Sequence, residues 1–208
     1  MYNCNQISVV SLLREQQQEV ILMNNTQKMS TNVIVFGALM TALVVILQLI
    51  SVSLVLIPIV IGAAICGKGI GAWLGFVFGA VVLLSGDAGA FLAVNVPGTV
   101  ITVLLKGIAC GFFAGTVYRL LEKYNRYAAV IAAAIVCPLV NTGIFLLGCR
   151  LFFMDIVSEW AAAVGFGGNT VQYMFLVLAG GNFLFELGLN IVISPIIFRL
   201  LNIRKKQR

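Results

Sequence analysis

The sequence predicts an all-α integral membrane protein built as a six-transmembrane-helix bundle, and three observations carry that reading. Hydrophobic residues make up 61% of the 208 and charged residues only 10%, against roughly 25% charged in an ordinary soluble domain. Crossing ~30 Å of hydrocarbon takes about 20 residues of helix, and apolar runs of that order follow one another from Thr31 onward. Gly67, Gly71, Gly75 and Gly79 recur every four residues inside one such run. In a helix in water each would cost about 1 kcal/mol against alanine. In lipid the same spacing lays a smooth groove along one helix face, where a neighbouring backbone can approach closely.

Residues 1–28 stand apart as a polar N-terminal segment. The stretch Arg14–Glu19 has no apolar core and no small-residue cleavage motif, so it does not read as a signal peptide. It is expected to be a disordered tail, or to lie upstream of a true start at Met23 or Met29. Residues 29–208 then form the membrane domain. The first span is expected over 31–50 and a shorter second over 53–66, with Pro58 near its start. The glycine ladder makes the third, over 69–84, and a Gly-rich loop with Asp87 and Asn95 follows over 85–97. Spans four, five and six are expected over 98–121, 127–152 and 173–201, with a loop over 154–172 that contains Asp155, Glu159 and three glycines.

The basic residues give an independent orientation. With the N-terminus inside, Lys28, Lys68, Arg119, Lys123, Arg126, Arg199, Arg204, Lys205, Lys206 and Arg208 all fall on the cytoplasmic side, and only Arg150 falls at an outer end. That asymmetry is the positive-inside pattern, and it predicts a multi-pass membrane protein with both termini cytoplasmic. The net charge of +6 is dispersed over the ends of apolar runs rather than gathered in one patch, so nucleic acid is not an expected partner. The chain has no histidine, which removes the commonest proton shuttle and metal ligand. With no paired carboxylates and no nucleophile beside a base, no catalytic residue, metal site or cofactor is expected.

Charged groups inside lipid-spanning helices are costly and face a cavity or a partner. Lys106 lies in the outer part of span four, preceded by Thr99 and Thr102 at helical spacing, and Arg150 lies at the outer end of span five. Glu186 sits near the middle of span six, flanked by Asn182 and Asn190 four residues away on either side. Such a stripe must face the bundle interior, because lipid leaves its polar groups unsatisfied. The plainer reading is that the asparagines bond helices together and Glu186 is neutralised by protonation or by Lys106. Asn141, beside Pro138, is a further interior candidate. Asn95 and Asp87 in the outer loop could cover a site, although a solvated loop is the plainer and favoured reading. Small-residue faces recur in span one, at Gly37, Ala38, Thr41 and Ala42, and in span four, at Gly107, Gly111 and Gly115; by spacing alone these read as ordinary helix packing.

Taken in order, Ala38-x-x-x-Ala42, the short second span, Gly67-Lys68-Gly69-Ile70-Gly71-Ala72-Trp73-Leu74-Gly75-Phe76-Val77-Phe78-Gly79, Gly86-Asp87, Pro97-Gly98-Thr99 and Lys106-Gly107 with Gly111 resemble the substrate-binding S component of energy-coupling factor (ECF) vitamin transporters. The resemblance covers about residues 30–205. It implies a six-helix bundle that binds a vitamin near its outer face with high affinity. It also implies association with a transmembrane coupling protein and two cytoplasmic ATPase subunits, and toppling in the lipid bilayer to release substrate inside. By matching position it gives Ala38 and Ala42 the contact with the coupling protein. No phosphate-binding Gly-x-x-x-x-Gly-Lys-Ser/Thr occurs in the chain itself.

Asn95, Lys106, Asn141, Arg150, Asn182 and Glu186 are thus the expected substrate-binding residues, with the glycine-ladder helix acting as scaffold and helices four to six holding the ligand. The two cations in the outer half, Lys106 and Arg150, favour a carboxylate-bearing micronutrient: pantothenate first, a folate or riboflavin next. Two rival readings are a proton-coupled secondary transporter using Glu186 as its carrier group and a non-transporting scaffold protein.

Overall fold

The computed structural model describes Arg14, Gln17 and residues 31–50 and 54–206, with residues 200–206 for the backbone alone. The expectations for the N-terminal tail, for Met1, Met23 and Met29 and for the first residue of span two lie outside these. The described residues are helical throughout, joined by short turns. Helix α1 runs over Thr31–Leu49, α2 over Leu56–Cys66, α3 over Lys68–Ser85, α4 over Gly89–Leu92, α5 over Val96–Leu121 and α6 over Arg126–Phe152. Helix α7 follows over Met154–Ala163, α8 over Thr170–Tyr173, a π-helical turn over Met174–Leu178 and α9 over Gly180–Lys206.

Five of these helices (α1, α3, α5, α6 and α9) are long and apolar enough to cross a membrane. The remaining expected span, the second, is α2, with 11 residues; at 1.5 Å per residue it covers about half of a hydrocarbon core. It sits deep in the bundle, packed on α3, α5, α6 and α9, with Leu56, Ile59 and Val60 fully buried. Its end is set by Gly67, whose positive φ of 96° turns the chain into α3.

The glycine ladder acts chiefly on α5, with Gly71 also against Ala63 of α2. α3 and α5 run antiparallel, and Gly71, Gly75 and Gly79 lie against Gly111, Gly107 and Val103. A Cβ on Gly71 would stand 2.5 Å from the Gly111 carbonyl oxygen, and one on Gly79 would stand 2.9 Å from that of Val103. At the centre, a Cβ on either Gly75 or Gly107 would overlap the other's carbonyl. The two backbones therefore touch directly, and dispersion between closely fitted surfaces takes the place of a hydrophobic driving force that lipid does not supply. At the end of this zipper the Arg119 guanidinium fills the space in front of Gly67, and Gly115 receives the Lys68 backbone.

Both expected loops contain helix. Residues 85–97 carry the single turn α4. Residues 154–172 are not a loop: α7 occupies ten of them. Phe153, Val157, Trp160 and Ala161 recur at helical spacing and pack on Cys149, Tyr173 and Met174, while Asp155, Ser158 and Glu159 are exposed. So short an amphipathic repeat was masked by its two acidic residues and by the glycines after it. The chain then reverses through Gly165 and Gly168, both at positive φ.

Candidate functional site

The last helix begins with an irregularity. Ala179 N–H donates to the Met174 carbonyl at 3.1 Å, five residues back, and regular α geometry resumes when Phe183 N–H donates to the Ala179 carbonyl at 2.9 Å. The widened turn brings the Phe175 carbonyl to 2.5 Å from where a Cβ of residue 180 would stand, so Gly180 is what the bulge requires. Such bulges often mark functional positions. Here it directs Leu178, Ala179, Asn182 and Glu186 into a cavity of about 410 Å³.

That cavity lies at the end of the bundle away from Lys68, Arg119 and Arg126. Gln48 of α1, Leu56 of α2, Phe78 and Val82 of α3, Val103 and Lys106 of α5, and Asn141, Thr142 and Phe145 of α6 complete its wall, with Asp87, Ala88 and Phe91 from the α3–α5 connection. The size is within the range of small-molecule sites, and the lining is shared between apolar side chains and polar or charged ones.

The stripe on α9 divides. Asn182 Nδ2 donates to Glu186 Oε1 at 2.9 Å, and Glu186 Oε2 is buried with no hydrogen-bond partner among the described residues. Asn190 is fully buried and donates instead to the Glu186 backbone carbonyl at 2.8 Å. It therefore braces the helix outside the cavity. On α5, the Lys106 ammonium lies 5.7 Å from the Phe78 ring centroid and 5.2 Å from that of Phe145, a cation–π seat between two helices. Thr99 and Thr102, expected on the same face as Lys106, pack elsewhere. Thr99 donates to the Asn95 carbonyl at 2.7 Å, and Thr102 fits against Gly148 of α6.

Asn141 is buried in the wall, its Oδ1 without a partner among the described residues. Pro138, three residues earlier in α6, has no N–H to give the preceding turn. Asn95 caps α5, its side chain accepting from Gly98 N–H at 3.0 Å; it does not line the cavity. Arg150 is exposed at the end of α6 and likewise stands outside. Of the six expected residues the fold thus gathers Lys106, Asn141, Asn182 and Glu186. The ladder helix α3 is not scaffold alone, since Phe78 and Val82 line the cavity, and α1 and α2 contribute wall as well.

Several lining residues were missed. Gln48 is buried and donates through Nε2 to Asp87 Oδ2 at 2.7 Å, and Ser85 Oγ donates to the same oxygen at 2.8 Å. A lone glutamine in an apolar span was a signal available in the sequence. Phe91 was not: it meets Phe145, Phe153 and Trp160 at ring-centroid distances of 5.7, 5.1 and 5.4 Å and so joins the connection over the cavity to α6 and α7. Ala38 and Ala42 are exposed on α1 and do not line the cavity.

The model of the family described as ECF transporter, substrate-specific component, matches residues 32–198. No curated protein and no solved structure matches the chain. The matched segment runs from the start of α1 to near the end of α9 and takes in every residue of the cavity wall. The chain belongs to the substrate-specific components of ECF transporters.

Proposed function

We propose that this chain is the high-affinity, membrane-embedded substrate-binding subunit of an ATP-driven importer for a vitamin or related micronutrient. It works with a transmembrane coupling protein and two cytoplasmic ATPase subunits. The observation that carries the reading is the cavity of about 410 Å³ that sets Lys106 and Glu186 among Phe78, Phe91 and Phe145. Its position at the end opposite Lys68, Arg119 and Arg126 agrees with a site near the outer face and with cytoplasmic termini, as the distribution of basic residues expects. α2, too short to span alone, counts as the sixth helix of the bundle.

The substrate is a monocarboxylate, pantothenate before folate or riboflavin. With Arg150 outside the cavity, Lys106 is the cation that meets an anion there. One ammonium matches one carboxylate; folate carries two, and riboflavin carries none. Ala38 and Ala42 make the contact with the coupling protein, which their exposure on a small-residue face of α1 suits.

Uptake of labelled pantothenate by cells making this chain with and without the coupling protein and ATPases tests the proposal. Uptake that needs all of the subunits and ATP is expected. A second reading has one observation in its favour: the unpartnered, buried carboxylate oxygen of Glu186 suits a proton carrier. Uptake by the chain alone, driven by a proton gradient and lost in Glu186→Gln, would establish that reading and overturn the first.

A further inference from the structure

The cavity wall sets a cation and an anion on different helices, with Asp87 of the α3–α5 connection, held by Gln48 and Ser85, as a further carboxylate. Lys106 belongs to α5, which packs on α3 and α6; Glu186 belongs to α9, which packs on α6 and the π-helical turn. They lie within Coulombic range of one another, yet the ammonium is seated on the rings of Phe78 and Phe145. Glu186 Oε1 takes the Asn182 N–H, which leaves Oε2 as the unanswered acceptor. Asn141, on the intervening α6, contributes a second buried acceptor, Oδ1. Turning its amide over would present donors in place of that oxygen, whereas Glu186 in its ionised form, facing Lys106, can only accept. A buried acceptor left unpaired is costly, and a purely anionic ligand would add negative charge beside Glu186 without relieving it.

We infer that the molecule this cavity takes is bipolar: an anionic group meets Lys106, and a hydrogen-bond donor (an N–H or O–H) at its other end meets the Glu186 carboxylate and Asn141. This rests on the reading above that the cavity is the substrate site, and it sharpens the substrate class from carboxylate-bearing to carboxylate plus donor. The middle of such a molecule lies against Phe78, Phe145 and Val103, so its apolar portion is matched as well.

Two series of compounds test the inference on the purified full chain in detergent, with affinity read by calorimetry. The first compares pantothenate with pantothenol, which lacks the carboxylate, and with N-(3,3-dimethylbutanoyl)-β-alanine, the same skeleton without the hydroxyls. The second compares 4-(aminomethyl)benzoate with 4-methylbenzoate and 4-methylbenzylamine. In at least one series the two-ended compound binds about 10- to 100-fold more tightly than either one-ended partner, the range for a hydrogen bond to a charged group. Glu186→Gln narrows the advantage that the donor end confers and leaves that of the carboxylate, while Lys106→Met does the reverse. Asn141→Leu serves as a second variant on the donor side, and a melting curve accompanies each protein.

The inference is overturned if a one-ended compound equals its two-ended partner in both series, if no compound binds, or if folded Glu186→Gln and Asn141→Leu both keep the full donor advantage. Its failure is separable from that of the transport reading. Uptake that depends on ATP and the coupling protein, combined with no preference for two-ended compounds, sinks this inference alone; absence of such uptake sinks the transport reading.

Discussion

The two sides of α5 are built on opposite principles. Toward α3 it presents Gly107 and Gly111, with the backbones in direct contact and no room for a single added carbon. Toward the cavity it presents Lys106, a long charged side chain held over two aromatic rings across a space of about 410 Å³. One face gains stability by excluding everything, and the other leaves polar capacity open beside Glu186 and Asn141. Because both lie on one helix and about one residue apart, the rigid face fixes where the open face stands. A substrate site needs this arrangement, since a group must be held in place if it is to be aimed.

The largest effect expected from breaking the comparison is on the closed face. Gly107→Val drives a branched side chain into the Gly75 carbonyl, and a loss of about 3 kcal/mol, the upper end for overpacking, is expected as a lower melting temperature in detergent. Gly69→Ala is the control: nothing lies within 4 Å of its Cβ position, so its change stays within about 0.5 kcal/mol. If both variants melt alike, the zipper is not what holds α5. On the open face, Lys106→Met keeps most of the side chain's apolar bulk and removes its charge. The affinity for a carboxylate ligand should fall about 10- to 100-fold with little change in melting temperature.

Smaller effects mark the boundary of the site. Gln48→Ala removes the hydrogen bond from α1 to Asp87, which ties the α3–α5 connection across the cavity. Because Asp87 is exposed, a contribution of about 1 kcal/mol is expected, or about fivefold faster ligand dissociation in a stopped-flow chase. Arg150→Ala should leave affinity unchanged. A loss comparable to that of Lys106→Met would return Arg150 to the binding residues and place the cavity mouth at the outer end of α6.

How far the sequence reached depended on the kind of signal. The long spans were legible because lipid demands about 20 apolar residues whatever their partners, and the observed bounds of α1, α3, α5 and α6 fall within two residues of those expected. Helix α7 was not legible, since its apolar repeat is only ten residues long and its polar half resembles a loop. Glu186, Asn182, Lys106 and Asn141 stood out as polar residues in apolar helices, and that signal survives folding because such groups cannot face lipid. Arg150 stood out in the same way but lies at a helix end, where a long side chain reaches the interface at little cost. Asn95 stands outside the cavity for a local reason: an asparagine just before Val96-Pro97 serves first as a helix cap.

By itself the sequence determined that the chain is helical, that it belongs in lipid and that a few polar groups are turned inward, because each follows from the cost of exposing a residue type to hydrocarbon. Only the tertiary structure decided which inward groups share a cavity. Gly75 was set against Gly107, Gln48 was brought to Asp87, and Lys106 was seated on Phe78 and Phe145 opposite Glu186. These are contacts between residues far apart in the chain, chosen by how the helix surfaces fit, and no spacing along one helix encodes them.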